Sequence, residues 1–287
     1  MLTRQKVLLL MLKLAGRPVQ RVELMKWSFL LRHETASRGG SSFYDFVPYR
    51  FGPFSFGLYQ ELRKLGELSY LFEDDEQTWR INPELVRSDP ELSPPVDEEV
   101  RRLFVRLARL SANQLVDYVY ERHPEFTVNS ERAQLLPRPK ADVAVYTAGY
   151  ESISVDRFLN LLVRNGIERL IDVRNNPSSR RYGFHKSTLT RLTGKLGIEY
   201  LHFPELGIRS EKRQLFPADG DRRALFDEYE SSTLRTETAA QTTISQLVAE
   251  RPSVLVCMEA DPACCHRSRL ANRIARITDL PISHLRP

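Results

Sequence analysis

The stretch SVLVCMEADP, residues 253–262, decides the fold of the second half of the chain. Its first five residues form a short apolar run, which predicts a strand buried on both faces, as in a parallel sheet. Asp261 suits the N-cap of a helix and Pro262 suits its first position, so a long helix is predicted over residues 262–277. A strand that leads directly into a helix is the repeating unit of an α/β domain.

The same alternation runs backward from this stretch to residue 143. Apolar runs predict strands over residues 143–147, 169–173 and 199–203. Helical spacing predicts helices over residues 155–165 and 186–196, with further helical material within 225–250. Gly166 and Gly197 stand where a left-handed residue closes a helix. The sequence therefore predicts an α/β fold for residues 143–287, with a mostly parallel sheet flanked by helices.

The first 125 residues predict a different, mainly helical domain. Two strands, 68–72 and 78–81, follow three helices, and this is the order of a winged-helix module. The predicted helices cover residues 4–15, 19–32, 56–65, 96–110 and 112–120. Residues 126–142 contain Pro137 and Pro139 and show little periodicity, so they are interpreted as a linker.

Composition narrows the class of protein and its partners. The 287 residues are 41% hydrophobic and 28% charged, which indicates a globular chain long enough for two domains. We expect no membrane span and no signal peptide, since no apolar run approaches the ~20 residues that a span needs. The three cysteines lie within nine positions, which excludes a disulfide framework and favours a reducing, cytoplasmic setting. The net charge of +5 is compatible with a nucleic-acid partner.

Polar residues follow each predicted strand of the second half. Since the carboxyl ends of parallel strands share one edge, these residues are expected to meet there and to form a ligand site. In chain order they include Gly149 and Tyr150, then Asp172 and Arg174, then Glu205, then Glu259.

Asp172 and Arg174 are one residue apart, so they point to the same side of a strand. They predict either a buried ion pair, or a general base beside an arginine that clamps an anion. Arg180, in the following loop, is a candidate phosphate contact or an exposed arginine without a partner.

The residues that begin the last helix form the second candidate centre. Cys265 would lie where the helix dipole favours a thiolate, which makes it a candidate nucleophile. His266 and Arg267 are candidate phosphate contacts. The alternative is that Cys257 and Cys265 are buried packing residues. Since Cys257, Cys264, Cys265 and His266 give a poor C-x-x-C pattern, neither a metal nor a cofactor is expected.

Two family resemblances follow from these motifs. Residues 143–277 resemble the domain of unknown function 488, which implies a compact α/β fold with polar motifs at its strand ends and hints at nucleic-acid and defence contexts. The motifs are TAGY at 147–150, DVR at 172–174, GF at 183–184, PELG at 204–207, and Cys257-x-Glu259 followed by CHR at 265–267. The segment YRFGPFS, residues 49–55, is similar to one in the Panacea domain of antitoxins and phage-associated proteins, a resemblance that covers residues 1–125.

Three functions are compatible with these features. The first is an enzyme that acts on DNA or RNA, such as a base-excising glycosylase with carboxylates at Asp172, Glu205 and Glu259. Its stacking partners would be Tyr150, Tyr182 and Phe184. The second is a cysteine-dependent transferase or hydrolase of a small anionic substrate that uses Cys265. The third is a non-catalytic DNA-binding regulator of the antitoxin type.

Overall fold

The computed structural model describes residues 1–74, 78–209, 211–212 and 222–286. The chain divides into two compact units, Met1–Pro137 and Arg138–Pro287, and the division falls inside the predicted linker. Among the described residues, no helix combines the length and the apolar character that a membrane span requires.

The N-terminal unit consists of helices around a small antiparallel sheet. The sheet has the strand order β1-β5-β4, and β2 and β3 form a separate hairpin. The elements are α1 (Thr3–Ala15), β1 (Val19–Gln20), α2 (Arg21–Glu34), β2 (Val47–Tyr49), β3 (Gly52–Phe54), α3 (Phe56–Glu67), β4 (Leu71–Glu73), β5 (Thr78–Ile81), α4 (Pro94–Leu107) and α5 (Ala112–Arg122).

The predicted second helix begins two residues later than expected. Val19 pairs with Trp79 of β5, so Val19 and Gln20 form the first strand of the sheet. Both Val19 and Trp79 are buried in the core of this unit. Burial of an apolar pair across two strands therefore outweighs the helical spacing of the sequence.

Lys26 of α2 is a buried cation in the N-terminal unit. Its side chain is 2% exposed, and Nζ donates hydrogen bonds to the carbonyl oxygens of Phe51 and, at 3.0 Å, of Pro53. Burial lowers the pKa of Lys26 to about 7. The ammonium group therefore fixes the β2–β3 hairpin at the expense of its own hydration.

The C-terminal unit is an α/β domain with a five-stranded sheet, which confirms the predicted fold class. The strand order is β10-β6-β9-β7-β8, and every pairing is parallel. The elements are β6 (Val145–Gly149), α6 (Val155–Arg164), β7 (Arg169–Asp172), α7 (Lys186–Gly194), β8 (Glu199–His202), α8 (Arg222–Ser231), α9 (Thr233–Thr236), α10 (Thr238–Glu250), β9 (Ser253–Cys257), α11 (His266–Thr278) and β10 (Ile282–Leu285).

The core of this unit surrounds β9, the middle strand, and every residue of β9 is buried. Val145, Ile171 and Leu255, from three neighbouring strands, pack in one cluster with Ile244 of α10 and Leu270 of α11. Val254 and Val256 of β9 point to the opposite face from Leu255, because side chains alternate along a strand. This burial on both faces explains why β9 reads as a continuous apolar run.

The last predicted helix, 262–277, is divided in two. Pro262–Cys264 forms a short 3-10 turn, and the side chain of Asp261 accepts a hydrogen bond from the amide of Ala263 at 3.0 Å. Cys265 then has extended backbone angles, φ −136° and ψ 137°, and is the N-cap of α11. The interruption places Cys265 and His266 at a helix start of their own.

Candidate functional site

The carboxyl ends of β6, β9 and β7 lie side by side at one edge of the sheet. The register places Gly149 beside Cys257, and Asp172 beside Val256. Because the strands are parallel, the segments that follow them leave the sheet at the same edge. These segments carry most of the residues that the sequence predicts for the site.

Gly149 allows the end of β6 to touch the segment that follows β9. A Cβ atom here would lie 1.8 Å from the carbonyl oxygen of Glu259. The amides of Tyr150 and Glu151 donate to the carbonyl oxygen of Met258, at 3.0 and 2.9 Å. This backbone contact accounts for glycine at residue 149 without any ligand.

Asp172 and Arg174 form an ion pair inside the protein. Asp172 is fully buried and Arg174 is 5% exposed. Oδ1 of Asp172 accepts hydrogen bonds from Nε of Arg174 at 2.8 Å and from the Arg174 amide at 3.0 Å, and Oδ2 accepts one from the hydroxyl of Tyr200 at 2.6 Å. Burial lowers the pKa of Arg174, but the bonds and charge of Asp172 outweigh burial and raise that pKa overall. Since protein donors bond to both oxygens, the geometry favours the buried ion pair over an open base and clamp.

Tyr150 and Phe184, two of the three predicted stacking partners of a substrate base, stack on each other. Their ring centroids are 4.1 Å apart, their planes differ by 11°, and both side chains are buried. Arg174 fixes the pair, because Nη1 donates to the Tyr150 hydroxyl at 2.7 Å and to the Phe184 carbonyl oxygen at 2.9 Å. The two rings therefore pack against each other at the strand ends.

Of three further residues predicted to bind substrate, two are exposed and one is buried. Arg180 is exposed in the segment after β7, and Glu205 is exposed in the 3-10 turn after β8. Arg267 is 1% exposed and donates to the carbonyl oxygens of Glu259 and, at 3.0 Å, of Ala260. Arg267 therefore stabilises the segment after β9 from the interior, whereas Arg180 and Glu205 face solvent.

Four reactive side chains meet where β9 ends: Cys257, Glu259, Cys265 and His266, named here the cysteine cluster. Oε2 of Glu259 lies 3.1 Å from Sγ of Cys257 and 3.0 Å from Sγ of Cys265. Nδ1 of His266 lies 3.8 and 3.9 Å from the same two sulfur atoms. The two cysteines and the histidine are at most 2% exposed. Glu259 is only partly buried, so it is the member of the cluster that reaches solvent.

The chain builds this cluster from two elements. Cys257 is the last residue of β9, Cys265 is the N-cap of α11, and His266 is its first residue. Nε2 of His266 lies 3.1 Å from the carbonyl oxygen of Val173, so Nε2 is assigned the hydrogen. The other nitrogen, Nδ1, then presents its lone pair toward the two sulfurs.

The members of the cysteine cluster shift one another's pKa values. The hydrogen bond from Cys265 lowers the pKa of Cys257 well below its usual value, and His266 acts in the same direction, whereas burial opposes both. Burial raises the pKa of Cys265, and the neighbouring Cys257 raises it further. Burial and the charge of Cys257 also raise the pKa of Glu259.

The sequence predicts three members of the cluster as reactive residues, but it predicts Cys257 only as a packing residue or as part of a poor metal-binding pattern. Its spacing argument against a metal also counted Cys264, whose Sγ lies 3.6 Å from Oδ2 of Asp261. The fold brings Cys265 to Cys257, although the two are eight positions apart (265 − 257 = 8). A usable signal was the pair Cys257 and Glu259, since residues i and i+2 of an extended segment share a side.

A basic cavity of about 330 Å³ lies beside α11 and was not predicted from the sequence. Arg235 and three arginines of α11 line it, together with Glu230, Leu234 and Asn272. Positions 269, 273 and 276 of α11 are arginines that lie on one helix face, a spacing readable from the sequence. The cavity is suited to an anionic group.

Part of the C-terminal unit matches a known family model. The chain matches none of the curated proteins and none of the solved structures with which it was compared. Residues 154–274, from the N-cap of α6 into α11, match the family model of the domain of unknown function DUF488, which supports the resemblance predicted for the C-terminal unit.

Proposed function

We propose that the C-terminal unit is a hydrolase that acts on nucleic acid, with its reacting centre at the cysteine cluster. The observation that carries the proposal is the convergence of Cys257, Glu259, Cys265 and His266 at the carboxyl end of the middle strand. Open parallel sheets bind their substrates at this edge.

Glu259 is the group proposed to act on water. Its carboxylate is the partly exposed member of the cluster, whereas Asp172 is committed to Arg174 and Tyr200. A carboxylate in this position takes a proton from a water molecule as that water attacks the substrate. Base excision from DNA or RNA stays the first reaction to test, with Glu259 in place of Asp172 as its carboxylate.

The basic cavity supports an anionic substrate. It lies along α11, the same helix whose first residue, His266, belongs to the cysteine cluster. Arg273 is oriented by a hydrogen bond from Nε to Oε1 of Gln241 at 3.2 Å, and Arg269 forms an ion pair with Glu230 at 3.3 Å. Arginines of this kind position phosphate groups by forked hydrogen bonds, without reading sequence.

We further propose that the N-terminal unit is a winged-helix module that binds duplex DNA. Apart from the β2–β3 hairpin between α2 and α3, the element order is α1, β1, α2, α3, β4, β5, and this order and the sheet order β1-β5-β4 support the proposal. Helix α3 would then be the helix that enters the major groove, and it exposes Arg63 and Lys64. The resemblance of residues 1–125 to the Panacea domain stays a prediction, and it favours the non-catalytic regulator as the rival function.

The test is an assay of the full chain with single-stranded DNA, duplex DNA, RNA and base-modified oligonucleotides. Products are separated on denaturing gels and identified by mass spectrometry. Glu259→Gln is expected to lower turnover by about 100-fold or more, because general base catalysis contributes about 10²–10⁴. The matched control is Glu168→Gln, an exposed glutamate at the amino end of β7.

The cysteine-dependent reaction differs in one intermediate. A thiol nucleophile would leave substrate bound to Cys265, which quenching and intact-protein mass spectrometry would detect. Water as the nucleophile leaves no adduct. A covalent adduct, or full turnover by Glu259→Gln, would overturn the proposal, and an absence of turnover on every substrate would favour the regulator.

A further inference from the structure

We propose that Cys257, Cys265 and His266 bind a zinc ion, with the fourth position held by a water molecule beside Glu259. The three side chains offer two sulfur atoms and one nitrogen atom, and these three atoms lie within 4.8 Å of one another. Three protein ligands and one water are the arrangement of catalytic zinc sites.

The spacing of the donor atoms fits a tetrahedral ion. Bonds of about 2.3 Å to sulfur and about 2.0 Å to nitrogen give tetrahedron edges of roughly 3.5 Å from nitrogen to sulfur and roughly 3.8 Å between the sulfurs. Nδ1 of His266 lies 3.8 and 3.9 Å from the sulfurs of Cys257 and Cys265, a few tenths of an ångström longer than the nitrogen–sulfur edge. Because the three donor atoms lie within 4.8 Å of one another, side-chain shifts of about 1 Å or less would complete the site.

The imidazole of His266 is oriented as a metal ligand. Nε2 lies 3.1 Å from the carbonyl oxygen of Val173, a partner that fixes the ring and directs Nδ1 toward the sulfurs. Metal-bound histidines regularly donate their second ring hydrogen to a carbonyl or carboxylate in this way. The orientation of His266 is therefore an observation independent of the distances.

Charge balance favours zinc in this buried place, and the partial exposure of Glu259 favours water in the fourth position. Each thiol releases its proton to solvent on binding, so two thiolates and one Zn²⁺ sum to zero. Glu259 is the partly buried member of the cluster, so water can reach the fourth position beside it. Glu259, with Oε2 already 3.0 and 3.1 Å from the two sulfurs, is then placed to accept a proton from the bound water.

Two thiolates and one imidazole are a donor set typical of zinc. Sulfur ligands exclude magnesium and calcium, which prefer oxygen, and tetrahedral sulfur and nitrogen ligands suit Zn²⁺. The inference concerns the same site as the proposed hydrolase, but zinc binding can be measured without any substrate.

The test begins with the full chain, stripped with a chelator and reloaded with Zn²⁺ in the presence of a competing chelator. We expect one tightly bound zinc per chain by elemental mass spectrometry. Replacement with Co²⁺ is expected to give the near-ultraviolet absorption of cobalt–thiolate bonds, and X-ray absorption of the zinc form is expected to show two sulfur neighbours. These measurements on the wild-type chain do not depend on whether any variant folds.

Variants then identify the ligands. Cys257→Ser, Cys265→Ser and His266→Gln are each expected to lower zinc affinity by more than about 100-fold, beyond the loss typical of residues that only support a ligand. Cys264→Ser is the matched control, since Cys264 is adjacent in sequence but lies outside the cluster, and its zinc affinity should be unchanged. Glu259→Gln should retain zinc within about tenfold, because a residue beside the water contributes less than a ligand.

Four results would overturn the inference: no stoichiometric zinc in the wild-type chain, zinc neighbours without sulfur, undiminished zinc in the Cys257 variant, or loss of zinc in Cys264→Ser. The metal site and the proposed function fail separately. Bound zinc without turnover of nucleic acid would remove the hydrolase and leave the site, whereas turnover by a chain that binds no zinc would remove the site and leave the hydrolase.

Discussion

Replacing Asp172 with asparagine removes the charge that neutralises Arg174 inside the C-terminal unit. The substitution keeps the shape of the side chain but places an NH₂ group where Oδ2 accepts from Tyr200 and Arg174. Tyr200 and Arg174 both donate hydrogen bonds to this atom, so the NH₂ group of asparagine would face two other donors. Breaking a buried pair from one side costs about 3–5 kcal/mol, because the remaining charge stays buried without its partner. We expect Asp172→Asn to lower the free energy of unfolding of this unit by that amount.

The measurement is the urea dependence of hydrogen–deuterium exchange in peptides that cover β7, which reports this unit within the full chain. Tyr200→Phe, which removes one hydrogen bond to the carboxylate, should cost about 1.5–3 kcal/mol. Asp172→Leu combined with Arg174→Met should recover part of the loss, because an apolar pair has no charge to neutralise. If the free energy of unfolding of Asp172→Asn lies within about 0.5 kcal/mol of that of the wild type and the variant still has no turnover, then Asp172 acts on the substrate and the structural interpretation is wrong.

Three further predictions concern single contacts. Gly149→Ala should destabilise the C-terminal unit by about 1–3 kcal/mol in urea unfolding and should lower turnover. The carbonyl of Glu259 must move away from the new methyl group, so a variant as stable as the wild type would refute this contact. The free energy of unfolding of the N-terminal unit should increase as pH rises from about 7 to 10, because the pKa of Lys26 is 10.5 in the unfolded chain and about 7 in the folded one. The difference between the two pKa values corresponds to up to about 5 kcal/mol. Lys26→Met should remove this dependence of stability on pH. Tyr229→Phe should cost about 1 kcal/mol in thermal unfolding, because it removes a buried hydrogen bond of 2.8 Å to the carbonyl of Leu206, and an unchanged midpoint would contradict this.

The architecture of the C-terminal unit could be predicted from the sequence, because the local patterns of apolar residues there agree with the fold. The five apolar residues of β9 predict a strand buried on both faces, and the sheet confirms this prediction. The last strand, β10, was missed since its four residues include Ser283 and His284, and only pairing with β6 makes them a strand. Tertiary pairing supplies what a short polar segment lacks.

The sequence predicts where the candidate site lies, but it does not predict which of the site residues contact one another. Spacing on a strand correctly put Asp172 and Arg174 on one side, but their third partner, Tyr200, depends on the register of β8 beside β7. Likewise, the helix start predicted Cys265 and His266 as reactive residues. Their contact with Cys257 depends on the turn that separates β9 from α11.

The pairing of β10 with β6 has a consequence for how the C-terminal unit is made. Ile282 lies opposite Val145, so this contact joins residues 137 positions apart (282 − 145 = 137). Contacts of such long sequence separation slow folding, because a long loop must close before they form. During translation, β6 keeps an open edge until residue 285 has left the ribosome, and an open edge invites pairing with foreign strands. The interval between synthesis of β6 and of β10 is therefore the period in which the nascent chain is most exposed to strand exchange with a second copy and to aggregation.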